Sequence, residues 1–425
     1  MLFISPRGTK DILPEECRLL QEIEEKAKSV FSVFAYDEIR TPILEELKLF
    51  SRSLGDLTDI VQKQMFLIKR ETDSFVLRPE ATASIIRAYV QHTLYNFNNV
   101  SKFYYLGPMF RAERPQKGRL RQFHHIGCEA IGSYSPFLDA EVIFLASKLL
   151  EALNISGYEI KLNTLGCIHD KKKFGLHLRE ALLPHKQSFC QDCQQRIGKN
   201  IFRVLDCKNK QCKDIILSLS SVNNHFCDDC SKHFEDVKFG LDRLGVNYTI
   251  EPLLVRGLDY YTRTVFEISH SQLGSQDALG AGGRYDHLVE ELGGPSRGAV
   301  GFAFGVERLL LAMGPIDVEK NYEKSLDCYV IPLGEEALKE SLQLLKNLRN
   351  NAVAADMDYL DGSLKAKLRR ADKKKSKFCI VIGDNELAKN AVILKDMRQS
   401  TQEEVQMSEI VKKVRELIVN EGKIC

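Results

Sequence analysis

The sequence predicts an α+β chain in several parts: strands with flanking helices, a mostly helical insertion, and a small C-terminal α/β domain. Three observations carry that reading. Strand-like and helical segments alternate to about residue 163, and strand patterns return at "EPLLVRGLDYYTRTVFEIS". Between Cys167 and Phe239, cysteines, lysines and polar residues cluster and strand patterns fade. After a polar linker at 314–325, strands and helices alternate at the spacing of βαβ units. The expected boundaries are 1–166 and 240–322 for the two parts of the main domain, 167–239 for the insertion, and 326–425 for the last domain.

The elements follow in order. Leu19, Leu20, Ile23, Ala27, Val30, Phe31 and Phe34 form one helical stripe, and Pro14 suits the first turn of that helix. "DEIRTPILEE" is extended, because Pro42 pushes Thr41 toward β. "KFYYLGPMFRAE" and "RLRQFHHIGCEAIG" flank the polar turn "RPQKG" and predict a hairpin. In the last domain "DCYVIPL", "AVAADM", "FCIVIG" and "NAVILKDM" read as strands, with helices at 335–350, 364–375 and 408–419, and parallel pairing is expected.

Composition narrows the function. The chain has 425 residues, 44% of them apolar, and a net charge of only +2, so a polyanion must meet local basic patches. The N-terminus lacks the long apolar stretch of a signal peptide, and no run is long enough to span a bilayer. The expectation is a cytoplasmic protein whose twelve cysteines are reduced.

The hairpin concentrates four arginines and two adjacent histidines. With period-2 alternation, Arg119, Arg121, Phe123, His125 and Glu129 share one face of its second strand, while Ile126, Cys128 and Ala130 share the other. Met109, Arg111 and Glu113 share a face on the first. Arginines clamp phosphate oxygens, and Phe123 offers a stacking surface. A solvated pair of charged strands would carry the same residues. A GxxxxGK[ST] loop is missing and "LGAGGRYD" is not GxGxxG, so arginines would have to hold any nucleotide.

Three further segments carry chemistry. "TDSFVLRPEATASIIRAYV" sets Glu80 and Thr82 at a helix start, as a cap or a ligand site. "LVRGLDYYTRTVFEI" brings Arg256 near Tyr260 and Tyr261, which in a strand would point to opposite faces. "GAVGFAFGVERLLLAM" runs a strand into a helix with Arg308 in its first turn, an anion-site geometry.

These motifs, in this order along nearly the whole chain, resemble those of the histidyl-tRNA synthetase family of class II. "IRTPILE" is similar to the class's first motif, "FRAERPQKGRLRQFHHIGCE" to its second, and "GFAFGVERLLL" to its third. "LVRGLDYYTRTVFE" and "GAGGRYDHLVEELGG" resemble segments particular to the histidine enzymes. The resemblance implies an antiparallel catalytic sheet with flanking helices, a C-terminal anticodon-binding domain and a homodimer. It also implies ATP with Mg²⁺, L-histidine and histidine tRNA as substrates. It assigns Arg111 and Arg256 to the α-phosphate as catalytic residues, and Arg121 and Arg308 to the outer phosphates. Phe123 and Glu113 fall to adenine, Glu80 and Thr82 to the α-ammonium, Glu129 and Tyr261 to the imidazole, and Tyr260 to the histidine substrate. His125 stands where the family usually has Gln, as a substrate contact whose charge titrates near neutrality. Ala81 and His287 replace usual glycines.

Two CxxC pairs, Cys190/Cys193 and Cys227/Cys230, form a zinc-type pattern, with structural Zn²⁺ and inert thiols both open. For tRNA the candidates are Gln116, Lys117 and Arg119 at the hairpin tip, and Lys365, Lys367, Arg369 and Arg370 in the basic run "KAKLRRADKKKSK". The rival functions are an inactive paralogue serving as regulatory subunit of ATP phosphoribosyltransferase, and an RNA-binding protein without catalysis.

Overall fold

A computed structural model of the chain describes residues 3–55, 58, 60–71, 73–116, 118–207, 209–219, 226–274, 277–314 and 326–421. Lys117 and nearly all of the expected linker lie outside the described residues. The chain divides into two compact units, Met1–Ile316 and Asp317–Cys425. No helix among the described residues is long and apolar enough to cross a membrane.

In the first unit, helix α1 (Pro14–Val33) starts on its proline and buries Leu19, Ile23, Ala27 and Phe31, an i,i+4 stripe. Strand β1 (Asp37–Glu38) follows. A small antiparallel sheet is built from β2 (Leu44–Glu46), β3 (Phe66–Arg70) and β4 (Asp73–Leu77), with α2 (Leu47–Leu54) after β2. Next come α3 (Thr82–Gln91), the hairpin β5 (Ser101–Phe110) and β6 (Gln122–Ile131), α4 (Pro136–Ala152) and β7 (Tyr158–Thr164). The insertion supplies α5 (Ile168–Leu182), α6 (Gln191–Lys199), α7 (Lys210–Ser218) and α8 (Asp228–Arg243). β8 (Thr249–Ile250), β9 (Thr262–His270), β10 (Ala278–Arg284), α9 (Leu288–Glu291), β11 (Ala299–Gly305) and α10 (Val306–Ala312) complete the unit.

Among the described residues the main sheet has eight strands in the order β1-β5-β6-β11-β10-β9-β7-β8. Its pairs are antiparallel except at the two edges, where β1 joins β5 and β8 joins β7 in parallel. One face carries an apolar core in which α1, α4 and α8 cover Ile126, Cys128, Ala130, Phe266 and Phe304. Thus α8, although it closes the insertion in sequence, packs as a core helix through Val237 and Leu241. On the opposite face lie α2, α3, α9 and the rest of the insertion. Arg284 pins the sheet to α4: fully buried, its Nε donates to Asp139 Oδ1 at 2.9 Å, and its Nη1 to Asp286 Oδ1 at 2.9 Å. A buried charge without such partners would cost several kcal/mol.

The second unit runs β12 (Cys328–Pro332), α11 (Glu335–Asn350), β13 (Ala355–Met357), α12 (Leu364–Lys373), β14 (Phe378–Ile382), α13 (Asp384–Ala388), β15 (Ala391–Asp396), β16 (Gln402–Gln406) and α14 (Ile410–Glu421). The sheet order is β13-β12-β14-β15-β16. β12 and β14 are buried end to end, because both faces are covered. The expected parallel pairing holds only in part. β13, β12 and β14 are parallel, but β15 and β16 add on antiparallel. The links into β15 and β16 are too short for parallel crossovers.

Candidate active site

A cavity of about 680 Å³ opens in the first unit against the free face of the main sheet. The pleat of β6 decides what reaches it. Ile126, Cys128 and Ala130 go to the core, and Phe123, His125 and Glu129 line the cavity. Glu129 is only 1% exposed. Thr82 Oγ1 donates to its Oε1 at 2.7 Å, and the Tyr285 hydroxyl donates to its Oε2. Burial pushes the Glu129 carboxyl up to about 8; the two hydrogen bonds pull it down and Glu80 pushes it further up. Room for the carboxylate comes from Gly301 on β11, paired with Glu129, where a Cβ would collide with Oε2.

Glu80 sits just before α3 and accepts from the backbone N–H of Thr82 at 2.8 Å and of Ala83 at 2.9 Å. The capping position itself is Ala81, so the acid does the work of a cap from one residue earlier. Burial nevertheless raises the Glu80 pKa. The carboxylates of Glu80 and Glu129 are therefore bridged by one residue, Thr82, whose N–H serves the first and whose hydroxyl serves the second.

Tyr260 and Tyr261, expected on opposite faces of a strand, both line the cavity, with ring centroids 4.6 Å apart. They precede β9, which begins at Thr262, so strand alternation does not govern them. Burial raises both hydroxyls, that of Tyr261 to about 12. Tyr260 also meets Tyr285 edge-on at 5.5 Å.

His125 is held neutral. Burial, with Arg111, Arg78 and His124 adding to it, lowers its pKa to about 3. The expectation of a side chain titrating near neutrality is thereby corrected. Its Nδ1 is buried with no hydrogen-bond partner among the described residues.

Arg111, Arg256 and Arg308 line the cavity, together with Glu113 and Phe123. Arg111 Nε donates to Pro79 O at 3.0 Å, and its guanidinium lies over the Phe123 ring, 5.3 Å from the centroid. Burial lowers the Arg111 pKa, yet a guanidinium stays charged. Arg256 Nη1 pairs with Glu267 Oε2 at 2.6 Å, and its Nε is buried without a partner among the described residues. Arg308 donates to Ala278 O. Arg121 does not join them. It is outside the cavity wall, donating to Glu113 O and Arg7 O at 3.3 Å each. Because β6 starts at Gln122, the alternation drawn from Arg119 onward does not govern Arg121, although Arg119 still lines the cavity.

Sequence reading missed several side chains here. Tyr285 lies in "GAGGRYD", and its place one residue after β10 is the available signal. Arg78 Nη1 donates to Thr41 O and Oγ1 at 3.0 Å, and its Nε to Pro108 O at 3.1 Å, bracing both segments behind the site. Arg203, Leu205, Asp206, Lys213 and Ile216 bring the insertion into the cavity wall, which no local pattern announces.

The zinc pattern is corrected in its pairing. Cys190 and Cys193 gather with Cys207 and Cys212, whereas Cys227 and Cys230 gather with Cys167 and Asp170. Two clusters replace the single expected site, since helix packing, not CxxC spacing, decides which pairs meet. Of the RNA candidates, Gln116 and Arg119 form a β-bridge at the hairpin tip. On α12, Lys367 is buried and donates to Pro332 O at 2.9 Å, and Arg370 pairs with Asp358 at 2.8 Å. That leaves Lys365 and Arg369 exposed. The helical period separates the two pairs onto different faces.

Comparison with known proteins agrees along the length of the chain. The family described as Histidyl-tRNA synthetase matches residues 8–171 and 219–309, and the one described as Anticodon binding domain matches 327–417. The chain is 42% identical over 415 residues to the histidine--tRNA ligase of Halothermothrix orenii, covering 97% of this chain and 99% of that one. It is 44% identical over 419 residues to the enzyme of that name from Natranaerobius thermophilus, covering 98% and 100%. The apo structure of S. aureus histidyl-tRNA synthetase superposes with a TM-score of 0.79 at 35% identity, covering 97% and 100%.

Proposed function

This chain belongs to the histidyl-tRNA synthetase family, and from that premise we propose that its cavity activates L-histidine with ATP and passes it to histidine tRNA. The observation that carries the proposal is one cavity lined both by a buried carboxylate, Glu129, and by two arginines, Arg111 and Arg256.

In the first step a carboxylate oxygen of histidine attacks the α-phosphorus of ATP. The bond to the bridging oxygen breaks and pyrophosphate leaves, giving histidyl-adenylate. In the second step a ribose hydroxyl at the tRNA terminus attacks the acyl carbon, and AMP leaves. Arg111 and Arg256 stabilise the charge that builds on the α-phosphate, which is the main catalytic device available to fixed cations. Arg308 takes an outer phosphate. Phe123 carries adenine on the side of its ring away from Arg111, and Glu113 accepts from its amino group. Mg²⁺ arrives with ATP as part of the substrate, and Glu113 and Glu267 are carboxylates on the same wall.

Recognition of the amino acid follows from its hydrogen-bonding inventory. Neutral imidazole has one ring donor and one ring acceptor. Glu129, protonated in the empty cavity, releases its proton as the imidazole docks and then accepts from the donor, while Thr82 and Tyr285 hold its carboxylate. Tyr261 donates to the acceptor. Glu80 draws the α-ammonium, and neutral His125 offers its unpaired Nδ1 to the substrate's polar end. A pocket that hydrogen-bonds its ligand rejects analogues lacking those groups by large factors.

The C-terminal unit, through Lys365 and Arg369, contacts the tRNA, and the hairpin tip approaches the acceptor end. A homodimer formed around Pro42, beside the half-exposed Ile43 and Leu44, and a cytoplasmic location complete the reading. The regulatory-subunit alternative is weaker. The Bacillus halodurans structure titled as an ATP phosphoribosyltransferase regulatory subunit/histidyl-tRNA synthetase is 20% identical, a likeness of fold alone. The test is ATP–pyrophosphate exchange. Exchange should depend on histidine and on no other amino acid, and Glu129→Ala should abolish it. Histidine-selective exchange surviving in that variant would overturn the pocket assignment.

A further inference from the structure

We propose that the insertion binds two metal ions of the zinc class, one held by Cys190, Cys193, Cys207 and Cys212, the other by Cys167, Asp170, Cys227 and Cys230. In each group the ligand atoms all lie within 4.8 Å of one another. The Sγ atoms of Cys190 and Cys207 are 3.8 Å apart. That is the edge of a tetrahedron whose corners lie ~2.3 Å from its centre, the Zn–S distance. It is far longer than the ~2.05 Å of a disulfide. All eleven described cysteines are free. The mutual closeness also suits a single ion better than a polynuclear iron–sulfur centre, which spreads its ligands around several metal atoms.

The surroundings supply hydrogen-bond donors to several of the sulfurs. Backbone N–H groups point at the sulfurs: Cys190 N donates to Cys212 Sγ at 3.3 Å, Asn209 N to Cys207 Sγ at 3.4 Å, and Cys167 N to Cys230 Sγ at 3.1 Å. Cys190, Cys227 and Cys167 each sit at the N-cap of a helix, α6, α8 and α5 respectively. Asp170 bridges the second group, accepting from Cys227 N at 3.2 Å and Cys167 N at 3.4 Å. Each thiol releases its proton to solvent as it binds.

Size supplies the physical need. α6 and α7 have nine residues each, short of the ~12–15 at which isolated helices become even marginal. A four-thiolate ion would staple them together. What it would hold in place is part of the active-site wall. Arg203 Nη1 donates to Gly257 O at 3.1 Å, and Asn200 Nδ2 to Asp259 Oδ1 at 3.0 Å. Next to the second group, Lys171 Nζ donates to Asp259 O at 2.8 Å and Tyr261 O at 3.0 Å. The two ions thus brace, from two sides, the segment that carries Arg256, Tyr260 and Tyr261.

Metal content is independent of the charging reaction, so either reading can fail alone. The full chain, purified under reducing conditions, is measured by elemental analysis, with Zn²⁺ and Co²⁺ as probes. Two equivalents are expected, one lost in Cys207→Ser/Cys212→Ser and the other in Cys227→Ser/Cys230→Ser. Co²⁺ loading should give thiolate charge-transfer absorption, and chelation should lower the melting temperature and expose reactive thiols. A folded parent protein that takes up neither ion would overturn the proposal without needing any variant to fold. One equivalent lost only in the first variant would overturn the second site.

Discussion

Thr82 Oγ1 donates to Glu129 Oε1 at 2.7 Å across 47 residues of sequence, joining the start of α3 to the centre of the main sheet. Because the same residue's N–H serves Glu80, both buried acids of the cavity are set by one threonine. Thr82→Val keeps the shape and removes the hydroxyl. A hydrogen bond to a charged group contributes about 1.5–3 kcal/mol. If that acts on substrate binding, KM for histidine rises by about tenfold to a hundredfold, with KM for ATP little changed. Thr82→Ser should restore most of it. Steady-state exchange kinetics on the two variants decide the point.

The Glu129 carboxyl, near 8 in the fold against an ordinary 4.5, makes stability pH-dependent. Between those values the folded chain holds a proton that the unfolded chain has lost. Stability is therefore highest, for this group, below about 4.5, and it is lost as pH rises toward about 8, by at most ~1.4 kcal/mol per pH unit. Urea unfolding of the parent and of Glu129→Gln, compared across that window, should show the parent losing stability relative to the variant. Parallel curves would mean that Glu129 is ionised in the empty cavity.

His125 behaves in the opposite sense. With its pKa lowered from 6.5 to about 3, it is neutral at neutral pH. Its stabilising effect is present above about 6.5 and disappears as pH falls toward 3. The pH profile of kcat/KM for histidine in His125→Gln should therefore run parallel to that of the parent between about pH 5 and 8. A parental inflection near 6.5 that the variant lacks, with free histidine's own titration corrected for, would refute a neutral His125.

Gly301 faces Glu129 across β11 and β6. A methyl group there would meet both the Glu129 carboxylate and the Cys128 carbonyl. Neither can retreat, one being hydrogen-bonded on both oxygens and the other belonging to the ladder. Gly301→Ala should cost about 1–3 kcal/mol, the usual range for overpacking. It should also displace Glu129 and raise KM for histidine. Calorimetry and exchange kinetics together separate this from a purely structural defect, in which KM would not move.

What the sequence revealed, and what it hid, follows from how local each signal is. The alternation Ile126, Cys128, Ala130 against Phe123, His125, Glu129 is a property of one strand, and the fold places both sets on the faces it implies. The stripe of α1 is equally local. Arg121 misled because strand period was extended into a turn. Tyr260 and Tyr261 misled for the same reason, since they too precede the first residue of their strand. β16 escaped notice because "QEEVQ" buries only Val405 and so has little apolar alternation. The role of Tyr285 and the division of the cysteines depend on distant segments meeting, which no spacing rule encodes.

The basic run of α12 divides its charges by helical period, and that sets up a comparison between neighbours. Lys367 Nζ is sealed against Pro332 O, so Lys367→Ala should destabilise the C-terminal unit by about 1–3 kcal/mol through the carbonyl left unpaired. Lys365 and Arg369 lie on the exposed face. Lys365→Ala/Arg369→Ala should leave melting unchanged but weaken tRNA binding. Removing a cation that neutralises one phosphate reduces the slope of log K against log salt by roughly one. Salt titrations of tRNA binding measure that slope. An unaltered slope in the double variant would remove this face of α12 from the RNA interface, whereas an altered slope in Lys367→Ala, with its fold intact, would reverse the assignment of the two faces.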